Sequence, residues 1–123
     1  MTTRSTTHAR EGGLARWQWA LYAGGHRDRT NLLIHALTQP IFCIGTLTAL
    51  SAPFVNVWLV LIGFVTMGFA MALQGRGHRR ETTPPAPFRS PLEVFTRIFL
   101  EQWFTFPRFV LTGGFARAWA EST

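Results

Sequence analysis

Residues 54–73 read FVNVWLVLIGFVTMGFAMAL, with Asn56 and Thr66 as the only polar side chains. As an α-helix this run would measure roughly 30 Å, the hydrocarbon thickness of a bilayer. It lies in a longer stretch, residues 30–75, that contains no Asp, Glu, Lys or Arg. Upstream, residues 32–50 (LLIHALTQPIFCIGTLTAL) have a similar length but carry His35, Thr38, Gln39 and, near the middle, Pro40. Proline removes a backbone donor, which lipid tolerates only where neighbouring groups compensate. Ser51, Ala52 and Pro53 then read as a tight turn, so the two runs form a hairpin of two transmembrane spans, about 32–50 and 54–73.

The composition agrees with this reading. Charged residues make up 15% of the 123-residue chain, against about 25% in ordinary soluble domains. A soluble helical bundle is therefore the weaker alternative. The length suits one domain. The basic residues are all arginine and leave a net charge of +6, which suits anionic lipid or a carboxylate. Charge alone would also allow nucleic acid, but a long uncharged stretch argues against that partner, and none is expected. Cys43 is the single cysteine, which excludes an internal disulfide and a CxxC metal site. Arginines lie before the first span and after the second, with none in the connecting turn, so the positive-inside rule places both hairpin ends in the cytoplasm. The expected location is a bacterial inner membrane.

Outside the hairpin, residues 1–13 read as a disordered polar tail and residues 14–123 as a single helical membrane domain. Residues 14–22 (LARWQWALY) resemble an interfacial helix with Trp17, Trp19 and Tyr22 at headgroup depth. The prolines of residues 81–91 make a loop. Beyond it, Leu92, Phe95, Phe99, Trp103 and Phe106 recur at helical spacing, predicting an amphipathic C-terminal helix with Glu93 and Arg97 placed to pair. The fold expected is all-α: an integral membrane helical bundle with a two-span hairpin, an interfacial helix and an amphipathic C-terminal helix.

A short hairpin brings the start of its first helix beside the end of its second. That topology gathers His26, His35 and His78 at one mouth, whereas His8 lies in the tail. Asn31 and His35 share a helix face, and Thr30 is a candidate N-cap. Any one of these histidines alone is more simply an interfacial or hydrogen-bonded polar residue. Three imidazoles at one end of an uncharged bundle point instead to a site for a single metal, because ionisable groups at membrane depth are costly and usually functional. Imidazole suits zinc, iron, copper and nickel alike, so the residues leave the metal open. Arg27, Arg29, Arg76, Arg79 and Arg80 flank the cluster and could bind an acidic headgroup or a carboxylate.

The pattern Trp19-x2-Tyr22-x3-His26-x4-Asn31-x3-His35-x4-Pro40, followed by Gln74-x2-Gly77-His78, resembles the Mpo1-like family of small helical membrane proteins. The resemblance covers about residues 17–112. It implies an Fe(II)-dependent dioxygenase of fatty-acid α-oxidation, which uses molecular oxygen to shorten a membrane-borne 2-hydroxy fatty acid by one carbon. Carried over position by position, its catalytic and metal-binding histidines are His26, His35 and His78. The resemblance implies that a 2-hydroxy acid chelates the metal through its hydroxyl and carboxylate, with the acyl chain running into the hairpin, Arg29 or Arg79 holding the carboxylate, and Asn31 and Gln74 orienting the imidazoles. The alternative function is a non-enzymatic membrane adaptor or scaffold that binds anionic lipid through its arginines and a protein partner through its aromatic face.

Overall fold

The computed structural model describes residue 10 and residues 12–122. His8 and most of the expected tail lie outside the described residues. Arg10 is part of the folded body: its guanidinium is 2.7 Å from Glu93 Oε1 and stacks over the Trp17 ring. Among the described residues the regular structure is all helical, with no strand. The helices are α1 (Leu14–Tyr22), α2 (Arg29–Ser51), α3 (Leu59–His78), α4 (Pro91–Leu100), α5 (Phe106–Leu111) and α6 (Gly114–Glu121).

Helices α2 and α3 are both long and apolar enough to cross a membrane, and they pack antiparallel as the hairpin. Their limits differ from the expectation. The second helix starts at Leu59, not at residue 54, and runs on to His78. Residues 54–58 lie in the connection after a short 3-10 turn, Ala52–Phe54. The Asn56 side chain accepts from the Trp58 N–H there, a local bond that competes with helix. Helix α2 is capped by Asp28, not by Thr30: the Asp28 carboxylate accepts from the Asn31 N–H at 2.9 Å. Pro40 is accommodated inside α2 without ending it.

The two long helices touch backbone to backbone. A Cβ on Gly63 would stand 2.5 Å from the Gly45 carbonyl oxygen and 2.7 Å from Ala49 Cβ. Small residues at such a crossing let helices approach without relying on water to drive them together. The same closeness recurs at the mouth, where a Cβ on Gly77 would collide with the Asn31 side chain and lie 3.3 Å from Asn31 Cα.

Polarity is distributed inside out. The largest fully buried side chains include His35, Gln74, Gln102 and Asn31 beside Phe42, Phe109 and Leu32. Large apolar residues such as Leu37, Phe54, Trp58 and Phe64 are exposed. The C-terminal segment repeats this inversion: Leu92 and Phe95 are 73% and 59% exposed, whereas Arg97 on the same helix is 9% exposed. Arg97 donates to the Ala86 and Pro87 carbonyls, lies 3.5 Å from Glu93 as the spacing predicted, and is sandwiched against Phe88 and Trp17.

Helix α4 passes into α5 through a π-helical turn, Glu101–Thr105. The Phe106 N–H donates to the Glu101 carbonyl, five residues back. Pro107, which follows at once, has no N–H and its ring would clash with the carbonyl four residues earlier, which favours a widened turn before it. Gln39 Nε2 donates to the Gln102 carbonyl at 2.7 Å and ties the turn to α2. The Gln102 side chain forms a reciprocal amide pair with Gln74 on α3, at 3.0 and 2.8 Å. Helix α1 lies across this turn. Tyr22 is buried rather than placed at headgroup depth, while Trp17 and Trp19 are half-buried, Trp19 with the Arg108 guanidinium 4.1 Å above it. Packing against the π-turn accounts for the difference, because an aromatic ring beside a polar cluster excludes water from it.

Candidate metal centre

The three histidines arrive from separate elements and meet. His26 follows the short 3-10 turn Ala23–Gly25, His35 sits on α2 and His78 ends α3. Their ring centroids form a near-equilateral triangle with sides of 4.7, 4.9 and 4.9 Å, each pair close to perpendicular. Neither Gly24 nor Gly25 has a positive φ, so the turn that delivers His26 does not require glycine's left-handed freedom.

Two of the three rings are fixed by a backbone carbonyl. His26 Nδ1 is 2.7 Å from the Tyr22 oxygen, and His35 Nδ1 is 3.0 Å from the Asn31 oxygen. A carbonyl can only accept, so in the neutral ring Nδ1 carries the proton and Nε2 keeps a free lone pair. Both Nε2 atoms are buried without a hydrogen-bond partner, and so is His78 Nδ1. Orphaned polar atoms are rare in folded interiors. Three of them in one cluster are atoms that a cation could satisfy.

Glu101 completes the cluster from the π-turn. Its Oε2 is 3.4 Å from His35 Nε2 and 3.6 Å from His26 Nε2, too far for good hydrogen bonds. One ligand atom from each of His26, His35, His78 and Glu101 lies within 4.8 Å of the others. Donors bound to one metal at about 2.1 Å stand roughly 3.0–3.5 Å apart at right and tetrahedral angles. The cluster could therefore hold a metal ion after a small contraction. Three imidazoles beside one carboxylate suit zinc, iron, copper or nickel better than calcium or magnesium.

The Tyr22 hydroxyl donates to Glu101 Oε2 at 2.8 Å while its ring stacks on His26 at 3.8 Å. Burial, and then the Glu101 charge it faces, hold the Tyr22 hydroxyl well above its usual pKa, so it stays a neutral donor. Burial pushes the Glu101 carboxyl upward, but hydrogen bonds and positive charge from the His26 and His35 rings in their protonated form outweigh it and hold the group well below the usual carboxylate range.

The remaining candidate residues divide. Asn31 presents its backbone carbonyl to His35, while its side chain donates to Glu81 Oε2 at 2.7 Å. Glu81 Oε1 accepts from the Arg27 N–H, and the Asp28 N–H is shared between both carboxylate oxygens, so Glu81 clasps the segment that carries His26 to the chain just beyond His78. Gln74 bonds Gln102 and Thr38, not an imidazole. Arg29 donates to the Ser122 hydroxyl and the Trp119 carbonyl and stacks on Trp119, and Arg79 is exposed.

Sequence reasoning missed Glu101, Tyr22 and the role of Glu81. Glu101 was legible in part, since a carboxylate in an otherwise apolar run is costly unless it serves a site.

Fold and cluster together define a small helical-hairpin protein with a candidate metal centre of three histidines and one carboxylate at the hairpin mouth. The family model described as 2-hydroxy-palmitic acid dioxygenase Mpo1-like matches residues 15–112, and the chain belongs to that family. No curated protein and no solved structure is significantly similar to it.

Proposed function

We propose that this protein is an iron(II)-dependent dioxygenase that shortens a membrane-borne 2-hydroxy fatty acid by one carbon. The observation that carries this is the convergence of three partnerless imidazole nitrogens beside Glu101, in a chain whose family name specifies that chemistry. An adaptor would leave those buried nitrogens unexplained.

The metal would be held by His26, His35 and His78, with Glu101 as the fourth candidate ligand. Bound there, iron(II) would supply the capacity to pass electrons from the hydroxy acid to dioxygen. In the balanced reaction the C1–C2 bond breaks, C1 leaves as carbon dioxide, and C2 becomes the new carboxyl carbon. Dioxygen is the oxidant and water the other product. The chain's own contribution is positional. The Tyr22 and Asn31 carbonyls aim two imidazoles and set their tautomers, the Tyr22 hydroxyl holds Glu101 Oε2, and Phe106 and Phe109 pack beside the rings and exclude water.

The hairpin is read as spanning the bilayer with both ends on the cytoplasmic side. Exposed Phe54, Val55, Val57 and Trp58 at its tip support this, since soluble monomers rarely present large contiguous apolar patches to water.

The test is direct. The protein purified in detergent is analysed for bound metal, then incubated with 2-hydroxyhexadecanoic acid, Fe(II) and oxygen. Pentadecanoic acid and carbon dioxide are expected from the wild type and not from His78→Ala. Full turnover by a variant lacking all three histidines would overturn the assignment.

A further inference from the structure

A cavity of about 450 Å³ lies between α1 and α6. Its wall includes Tyr22 and Phe109, whose other contacts reach the His26 ring. Trp19 and Ala118 supply further apolar lining, and Arg27 and Arg117 stand on its rim. Arg27 directly follows His26 in the chain. Among the described residues neither guanidinium takes part in a hydrogen bond or ion pair, and Glu121, which also lines the cavity, is paired to neither. Two uncommitted cations against one carboxylate leave room for one more negative charge. The size falls within the range of ligand sites, about 300–1,000 Å³.

We infer that this cavity is the port through which a long-chain carboxylic acid reaches the centre. Its carboxylate is captured by Arg27 and Arg117, and its alkyl chain lies along Trp19, Phe109 and Ala118. Guanidinium is well matched to carboxylate, and adjacent aromatic and alanine surface gives the chain an apolar bed. Between the hairpin helices the way is narrow, since α2 and α3 meet at Gly45 and Gly63 without room for a Cβ. Arg29 is already committed to Ser122 and Trp119. The choice of acid as ligand rests on the oxygenase reading; the place of capture rests on the cavity.

The test uses the full chain in non-ionic detergent and a hexadecanoic acid bearing a photoreactive diazirine, with labelled peptides mapped by mass spectrometry. Labelling is expected in residues 19–24 and 114–121 and is competed away by 2-hydroxyhexadecanoic acid. It falls at least about tenfold in the Arg27→Ala/Arg117→Ala double variant, which removes both charge-assisted hydrogen bonds to the carboxylate. Ala118→Trp, which fills the cavity and keeps both charges, also abolishes it. The matching diazirine alcohol does not label these segments. Retained bound metal shows that the variants are folded. Equal labelling by the alcohol, or labelling unchanged in both variants, would overturn the port. Photolabelling needs no turnover, so a chain inactive on every hydroxy acid yet labelled as described would sink the oxygenase alone, and turnover without such labelling would sink the port alone.

Discussion

The buried amide pair of Gln74 and Gln102 gives a prediction whose sign is not intuitive. Both side chains are almost wholly buried, Gln102 at 0% exposure. Gln74 Nε2 donates to Gln102 Oε1 and Thr38 Oγ1, and Gln102 Nε2 donates back to Gln74 Oε1. Gln102→Leu orphans one acceptor, Gln74 Oε1, while Gln74 Nε2 keeps Thr38. At about 1–3 kcal/mol for a buried unsatisfied group, that variant should lose about that much stability. Gln74→Leu is worse, because it strips Gln102 of both its donor and its acceptor partner, for about 2–5 kcal/mol. Replacing both glutamines removes every orphan at once and should return the protein to within about 1 kcal/mol of wild type. The double variant is thus more stable than Gln74→Leu alone. The assay is a double-mutant cycle on reversible unfolding in mixed micelles followed by helical circular dichroism. Additive costs, or a double variant below Gln74→Leu, would refute the account of this pair as a closed polar unit.

Other consequences concern the centre and its supports. Tyr22→Phe keeps the stack on His26 but frees Glu101 Oε2, and should weaken metal binding about 10–100-fold, as measured by competition with a chelating dye. Gly77→Ala places a methyl against Asn31, spreads the mouth of the hairpin, and should lower both bound metal and thermal midpoint more than Gly75→Ala, whose added methyl would meet nothing. Asp28→Ala removes the α2 cap and should cost about 1 kcal/mol at neutral pH. Burial raises the Asp28 pKa, but the Asn31 N–H and Arg80 outweigh it and hold the group below its usual 3.8. A folded pKa depressed in this way stabilises the protein above the unfolded value, and the gain is lost as pH falls through the folded one. Unfolding measured from pH 6 down to pH 2 should therefore show a shallower acid loss in Asp28→Ala than in wild type; parallel curves would refute this.

The hairpin was legible because charge is a one-dimensional signal: a run without Arg, Asp or Glu has few ways to fold. The meeting of His26, His35 and His78 was legible from topology, which needs only the order of two helices and a short turn. The amphipathic reading of the C-terminal segment found the stripe of Leu92, Phe95 and Phe99 but could not say which side faces the protein. Periodicity carries no sign, and here Arg97 goes inward while Leu92 and Phe95 go outward. Glu101 escaped notice because its direction depends on the π-turn, and a widened turn changes where every later side chain points. Thr30, the candidate cap in the sequence, lies two positions past the observed cap Asp28, within the usual uncertainty of helix ends. Glu81 lies outside the two histidine blocks, and its reach across to Arg27 and Asp28 is a tertiary fact that spacing does not reveal.

The four groups of the centre come from positions 26, 35, 78 and 101, and the last sits on a turn held by Gln39 and Gln74 from both arms of the hairpin. During synthesis the histidines can gather as soon as the hairpin closes, but the carboxylate arrives only when the next segment has docked. A half-made chain would thus present an incomplete binding cage, so full metal capture is delayed until nearly all of the polypeptide is in place.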